Sequence, residues 1–347
     1  MSDTSSQKGE EVAIELAEGF NITYQDEFTK IETHSLVGNE DFQDSIFILH
    51  RQMTPSFTKN RKIVPKNWTS ICCQSSTHLA YLQQLNQTDL VTGLCGLSYV
   101  TKGPIKDQLE KNKTAEICIG EAAQLESLLA QNPEIYFTYP FSSEQNRELD
   151  KKGVQTFMIA EYLEKTPLAR LEWIKLFAVL FQQEKQASTY FDQVKKEYLQ
   201  LAQEDPDTNK KFIFNLPFGD TWYAPSSNSL IVQLLEDAGL YYYFHDEVGT
   251  ENMAHPNEKI WEIGGQVSYW VIVASRPEGF NLADLVAENE VYGTFKSVIH
   301  HQVIFCNTAT TDYFIKGVIE PHIMLKDLLF ATHKIREHNP VYFRLLK

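Results

Sequence analysis

Six clusters of aromatic and small polar residues stand where strands are expected to end. They are Ser75-Ser76-Thr77-His78, Gly96-Leu97-Ser98-Tyr99, Tyr139-Pro140-Phe141, Asp220-Thr221-Trp222-Tyr223, Ser275-Arg276-Pro277 and Asp312-Tyr313. Such side chains stack on flat surfaces and hydrogen-bond, which is the chemistry of holding a molecule rather than of breaking its bonds. In open α/β sheets ligands lodge beyond the carboxyl ends of the strands, so the six tails are expected to line one cleft. Signatures of nucleophilic, nucleotide or zinc-hydrolase chemistry are missing: there is no G-x-S-x-G, no P-loop, no H-E-x-x-H and no G-x-G-x-x-G after a strand. The ten histidines include the adjacent pair His300-His301 and the isolated His78, His245, His255 and His322. None has i, i+4 spacing on an expected helix, so a metal held by protein ligands alone would need His78, His255 and His300 to meet.

The elements that must position these residues belong to a chain large enough for about two domains at roughly 150 residues each. It has 347 residues, 43% hydrophobic and 12% aromatic, with 31 basic and 46 acidic side chains for a net charge of −15. That charge repels phosphate backbones and anionic headgroups, so nucleic acid and acidic membrane surfaces are poor partners. The five cysteines (Cys72, Cys73, Cys95, Cys118 and Cys306) are odd in number and form no C-x-x-C pair, and are read as buried small apolar residues. The most apolar stretch, Leu171 to Phe181, is interrupted by Glu172 and Lys175, well short of the ~18 apolar residues a membrane span needs. The opening residues contain no apolar h-region. That leaves a cytoplasmic protein, or an exported domain whose leader has been replaced by Met1.

Residues 1–12 are polar and expected to be a disordered tether. Phe20–Tyr24, Ser45–Leu49 and Lys62–Val64 read as short strands of a β-rich front section. A βα rhythm follows: strands at 69–73, 91–94, 134–138 and 155–159, with helices at 77–84, 122–131 and 143–152. Strands alternating with helices imply a parallel α/β sheet. Pro167 to Glu204 runs without glycine or a further proline, and is expected to form a single helix between two lobes, about 57 Å long at 1.5 Å per residue, with two helices joined near Lys185 as the alternative. The rhythm resumes with strands at 211–215, 269–274 and 303–306 and helices at 229–238, 258–262, 281–288 and 320–336. The expected domains are thus a front lobe with its β-rich extension over 13–162, the connecting helix over 163–205 and a second α/β lobe over 206–347.

The stretch 161–175 (EYLEKTPLARLEWIK) resembles the entry to the inter-lobe helix of class III substrate-binding proteins of bacterial ABC importers, which carry iron-siderophores, haem or vitamin B12. Further likenesses are 123–137 (AQLESLLAQNPEIYF), 219–229 (GDTWYAPSSNS), 234–239 (LLEDAG) and 316–322 (KGVIEPH). The resemblance as a whole covers roughly residues 62 to 335, and the stretches are specific as a set. The front segment 16–24 (LAEGFNITY) resembles the leader of Bacteroidetes-type members, commonly lipoproteins, whose natural chain would begin at a lipidated cysteine. The sequence departs from the family pattern at Ser226-Ser227-Asn228, where glycine is common, and at Val267-Ser268 before Tyr269-Trp270, where an Ala-Asp pair is frequent.

The resemblance implies two Rossmann-like lobes joined by one long rigid helix, a ligand between them, and one glutamate per lobe for arginines of the permease. Those glutamates align with Glu126 and Glu258, with Glu121 or Glu262 as neighbours that could serve instead. A carboxylate at a helix start is held ionised by the helix dipole and suits a bidentate arginine. The implied function is extracytoplasmic, lipid-anchored capture of a metal chelate, with no catalysis and no resident cofactor. Stacking would come from Tyr99, Phe141, Trp222 and Tyr223, and polar contacts from Ser76, Arg276 and Asp312; His78, Tyr99 or Tyr139 could be an axial ligand to haem. An anionic ferric siderophore would need Lys102, Arg147, Arg276 or Lys316, whereas nearly neutral cobalamin would suit the aromatics. The iron chelate is placed first on family frequency, ahead of cobalamin or haem. Two other classes stand behind it: a protein-ligated Zn or Mn carrier, and an enzyme with Asp220 or Asp312 as general base and His78 as partner.

Overall fold

A computed structural model describes residues 11–36, 42–100, 103–120, 122–140, 143–247 and 252–347. The chain forms two compact units, Met1–Glu164 with Leu168–Asp192, and Lys165–Pro167 with Gln193–Lys347. The first holds a five-stranded sheet in the order Thr156–Met158, Ile135–Thr138, Ile71–Cys73, Val91–Leu94, Ala115–Glu116. All of its pairings are parallel. Ile71, Cys72 and Cys73 and the whole of Ile135–Thr138 are buried, as expected of strands covered on both faces.

The front section is a four-stranded sheet of Phe20–Tyr24, Phe28–His34, Gln43–Leu49 and Lys62–Val64. Its second strand, Phe28–His34, alternates buried and half-buried residues and was not expected from the sequence. Lys62 ties this sheet to its neighbour. Its ammonium group lies 3.1 Å from both Asp44 and Asp150 and donates to the Thr156 carbonyl at 2.8 Å, while Asp44 accepts the Met158 N–H at 3.1 Å.

The second unit repeats the plan. Tyr241–Tyr242, Lys211–Phe214, Tyr269–Ala274 and Val303–Asn307 pair in parallel, and Arg344–Leu345 adds an antiparallel edge. A two-stranded ribbon, Thr221–Ala224 against Met253–Pro256, stands beside this sheet.

The continuous helix expected from Pro167 to Glu204 is instead three segments: Pro167–Glu172, Ile174–Phe181 and Glu184–Leu201. The clear break is at Gln182, close to the Lys185 joint of the two-helix alternative, where the backbone adopts a left-handed conformation with φ 56°. That conformation costs a non-glycine residue about 1–2 kcal/mol. The last segment has 18 residues, about 27 Å at 1.5 Å per residue, and the division between the units falls within it. At the first break Trp173 is fully buried and its indole N–H donates to Glu164 at 2.8 Å.

Two buried carboxylates hold the start of the described chain against these helices. Glu172 accepts the N–H groups of Glu15 (2.9 Å), Leu16 (2.6 Å) and Ala17 (2.8 Å) together with the Lys175 ammonium (2.7 Å). Glu164 accepts the N–H groups of Glu18 and Gly19. Gly19 is required by space, because a Cβ there would lie 2.7 Å from the Trp173 ring. Residues 1–10 of the expected tether lie outside the described residues, but Val12 is already tied, donating to the Tyr24 hydroxyl at 3.2 Å.

Removing Glu172 would leave Lys175, itself buried, without its closest counter-charge, and would strand three backbone donors. Glu172→Ala should therefore cost about 3–5 kcal/mol and lower the thermal midpoint, with Glu172→Gln intermediate. Limited proteolysis should then cut residues 11–19 first, and an unchanged midpoint would refute this account.

Candidate functional site

Parallel register places the strand ends of each unit on one edge. In the first unit Cys73 pairs with both Phe137 and Leu94, so the segments starting at Gln74, Cys95 and Tyr139 emerge together. In the second, Phe214 pairs with Val271 and Ala274 with Asn307, which gathers the segments starting at Asn215, Ser275 and Thr308. The six sequence clusters thus resolve into three per unit.

A buried amide secures the edge in each unit. The Gln74 side-chain oxygen accepts the Tyr139 N–H at 2.9 Å. In the second unit Asn307 accepts the Arg276 N–H at 3.1 Å and donates to the Arg276 carbonyl at 2.9 Å. Sequence reasoning did not single out these amides, whose only signal was a polar residue directly at the end of an apolar strand.

The expected contact residues divide by exposure. Tyr99 is 70% and Tyr223 46% exposed, and Ser76 is buried at the start of the helix Ser76–Gln84. Tyr139 is half-buried and packs edge-on against His78 and Tyr162; burial pushes its hydroxyl up to about 12. Phe141 lies outside the described residues. Trp222 is a correction: it is fully buried, donates its N–H to the Phe214 carbonyl at 2.9 Å and packs on Trp270. The pleat of Thr221–Ala224 points Trp222 inward and Tyr223 outward. Phe218, 82% exposed on the tight turn closed by its bridge to Thr221, is the aromatic that sequence reasoning missed. Its signal was an aromatic residue directly before Gly219-Asp220.

Of the four expected cations, Arg276 and Lys316 are paired within the chain, Arg147 is exposed on the helix Ser143–Lys151, and Lys102 lies outside the described residues. Arg276 binds Glu288 through Nε at 2.7 Å and an η nitrogen at 3.0 Å, beside a pocket of about 510 Å³ also lined by Glu278 and Asp284. Asp312 pairs with Lys316 at 3.5 Å.

His78 is also corrected as a direct ligand contact. It is fully buried, and neither ring nitrogen has a hydrogen-bond partner; Nε2 lies 3.9 Å from the buried Glu161 carboxylate. Glu161 in turn accepts from the Thr77 hydroxyl at 2.7 Å and from Arg170 at 3.2 Å.

The five cysteines are buried, as expected, but two of them are not free. Cys95 and Cys118 form a disulfide, whereas Cys72, Cys73 and Cys306 are free and buried. The pairing of Leu94 with Glu116 brings the two chain segments together, and a separation of 23 residues hid this in the sequence. Among the described residues, Cys95, Glu116 and Cys118 are also the one grouping of three potential metal ligands.

Glu126 is exposed in the first turn of Leu125–Gln131, and Glu258 is exposed in the first turn of Asn257–Gly264.

Residues 75–310 match the sequence model of the periplasmic binding protein family. The chain belongs to that family. An uncharacterised lipoprotein of Methanocaldococcus jannaschii is 26% identical over 298 residues, covering 80% of this chain and 70% of the relative. Among solved structures, a periplasmic binding protein of Veillonella parvula superposes with a TM-score of 0.63 at 12% identity, over 89% of this chain and 99% of that one. A periplasmic heme binding protein of Pseudomonas aeruginosa gives 0.62 at 13% identity, over 80% and 98%. Helicobacter pylori CeuE, solved with Ni(II) bound, gives 0.60 at 16% identity, over 78% and 85%. The fold is therefore that of the periplasmic binding proteins, α/β with parallel sheets. No helix among the described residues is long and apolar enough to cross a membrane.

Burial pushes His78 down to about 4; the Arg170 charge acts in the same direction and the Glu161 carboxylate opposes it. Unfolded histidine titrates near 6.5, so as the pH falls from about 6.5 to 4 the unfolded chain takes up this proton before the folded one. Histidine 78 should thus withdraw stability across that window, on the order of 3 kcal/mol in all, and the loss should level off below it. Thermal midpoints of the parent and of His78→Phe, compared at each pH, should diverge in this window, and parallel curves would refute the assignment.

Proposed function

We propose that this periplasmic binding protein captures a metal chelate at the strand-end edges of its units and delivers it to the permease of an ABC importer. The observation that carries this is the set of outward-turned aromatic rings on those edges, Tyr99, Tyr223 and Phe218, within a family of solute-binding proteins. Aromatic faces bind flat or broad apolar surfaces with little dependence on charge. Two structural neighbours, the heme binding protein of Pseudomonas aeruginosa and CeuE with Ni(II) bound, are in keeping with a metal-containing cargo.

Among chelates, the paired state of Arg276 and Lys316 favours one of low net charge and broad surface, of the corrinoid or tetrapyrrole kind, over an anionic ferric siderophore. This reverses the order set by family frequency. The half-buried Tyr139 and the exposed Tyr99 both offer a phenol oxygen should the cargo be haem. A bare-metal carrier built on His78, His255 and His300 has less support, since the three-ligand grouping among the described residues involves none of them.

Tryptophan emission should be quenched saturably by cyanocobalamin or haemin, with inner-filter correction, and less tightly by a ferric hydroxamate. Tyr99→Ala, Tyr223→Ala and Phe218→Ala should each weaken binding by about tenfold. Tightest binding of the ferric hydroxamate would reverse the charge argument, and no binding of any of the three would overturn the chelate reading.

Glu126 and Glu258 are proposed as the permease contacts. Replacing both with alanine should abolish chelate-dependent stimulation of transport in reconstituted vesicles while leaving chelate affinity unchanged. An unaltered transport rate would move docking to other residues.

A further inference from the structure

Three backbone donors converge on the exposed carboxylate of Glu116. The Gly96 N–H reaches both oxygens at 3.1 Å, the Leu97 N–H lies 2.8 Å away and the Cys118 N–H 3.1 Å. Gly96 and Leu97 begin the turn that carries Tyr99. That turn is closed by the Tyr99 N–H donating to the Gly96 carbonyl at 2.9 Å. Gly96 has φ 79°, in the left-handed region that glycine tolerates. A Cβ on it would fall 2.6 Å from the Tyr99 ring, so the ring rests directly on the bare Cα. The disulfide to Cys118 holds the residue before Gly96. From carboxylate to exposed ring, every link is a hydrogen bond, a covalent bond or a direct contact.

The sulfurs of Cys95 and Cys118 and a Glu116 oxygen lie within 4.8 Å of one another, a set that free thiols would offer to a soft metal ion. Here the sulfurs are bonded to each other, and the carboxylate is engaged by amides.

We propose that Glu116 is a positioning residue for chelate capture: it clamps the Gly96–Tyr99 turn so that the Tyr99 ring is presented already oriented. The inference rests on the reading above that Tyr99 meets the chelate. A ring held in place before binding loses less freedom on binding, and removing the clamp should weaken affinity about three- to tenfold.

The first measurement needs no cargo. With 3-fluorotyrosine placed at position 99, the parent should give one narrow ¹⁹F resonance, and Glu116→Ala should broaden or split it; an unchanged resonance overturns the clamp. Because Glu116 is exposed, the variant is expected to fold, and its thermal midpoint confirms this. The second is a double-mutant cycle with cyanocobalamin and haemin as probes. Glu116→Ala should weaken binding in the parent, have no further effect in Tyr99→Ala, and be partly rescued by Glu116→Asp. If Tyr99→Ala weakens binding but Glu116→Ala does not, or if the two losses add in full, the positioning role is wrong while the site reading stands. If Tyr99→Ala leaves the affinity for both probes unchanged, the site reading itself fails and the proposal falls with it.

Discussion

Strands that run parallel must be joined by connections crossing the faces of the sheet, so every strand leaves by the same edge and every return passes over a face. That constraint governs both units. Ile71–Cys73, Val91–Leu94 and Ile135–Thr138 are buried except for Thr92, which is half-buried, and they can present side chains to a cargo only where they stop. Under the proposed function, the residues available for recognition would be a handful per strand end, set by register. The remaining sequence supports that edge, down to the buried carboxylates Glu164 and Glu172 that fasten the incoming chain to the helices.

An edge of this kind exposes backbone groups that the sheet no longer pairs, and a buried polar group without a partner is costly. The protein meets this with side chains that reach across to the next strand's exit: Gln74 to Tyr139, Asn307 to Arg276 and Glu116 to Gly96 and Leu97. Each spares its neighbour an unsatisfied N–H, and each also fixes where the neighbouring loop begins. Satisfying the backbone and fixing the path of the next loop are here the same act.

The alternation of strands and helices was legible because its period is local: Val91–Leu94, Lys62–Val64 and Tyr269–Ala274 fall at the expected residues. What depended on a distant partner was not. Trp222 and Tyr223 are equal candidates as a sequence, and only the ribbon pairing with Met253–Pro256 decides which of them faces the core. Cys95 and Cys118 become neighbours through a sheet pairing more than twenty residues apart. Phe28–His34 carries charge on its half-buried face, which made a strand look like a turn-rich stretch. The helix after Pro167 contains no glycine or proline at its break. Gln182 takes the left-handed conformation there, so a joint near Lys185 could be raised from the sequence only as an alternative.

Charge supplies the last step. Arg276 meets Glu288 with two nitrogens and also donates to the Ser275 carbonyl at 2.9 Å. An anionic cargo could recruit this guanidinium only by displacing Glu288, whose carboxylate would then face the cargo unpaired. The chain as a whole is acidic by fifteen charges, so the long-range field adds repulsion to that local cost wherever screening leaves it felt. Exposed rings carry no such penalty, since an aromatic face attracts apolar and π surfaces and is indifferent to the sign of a distant charge. With Arg276 and Lys316 paired within the chain and Tyr99, Tyr223 and Phe218 exposed, the proposed capture edge would select by shape and surface more than by charge.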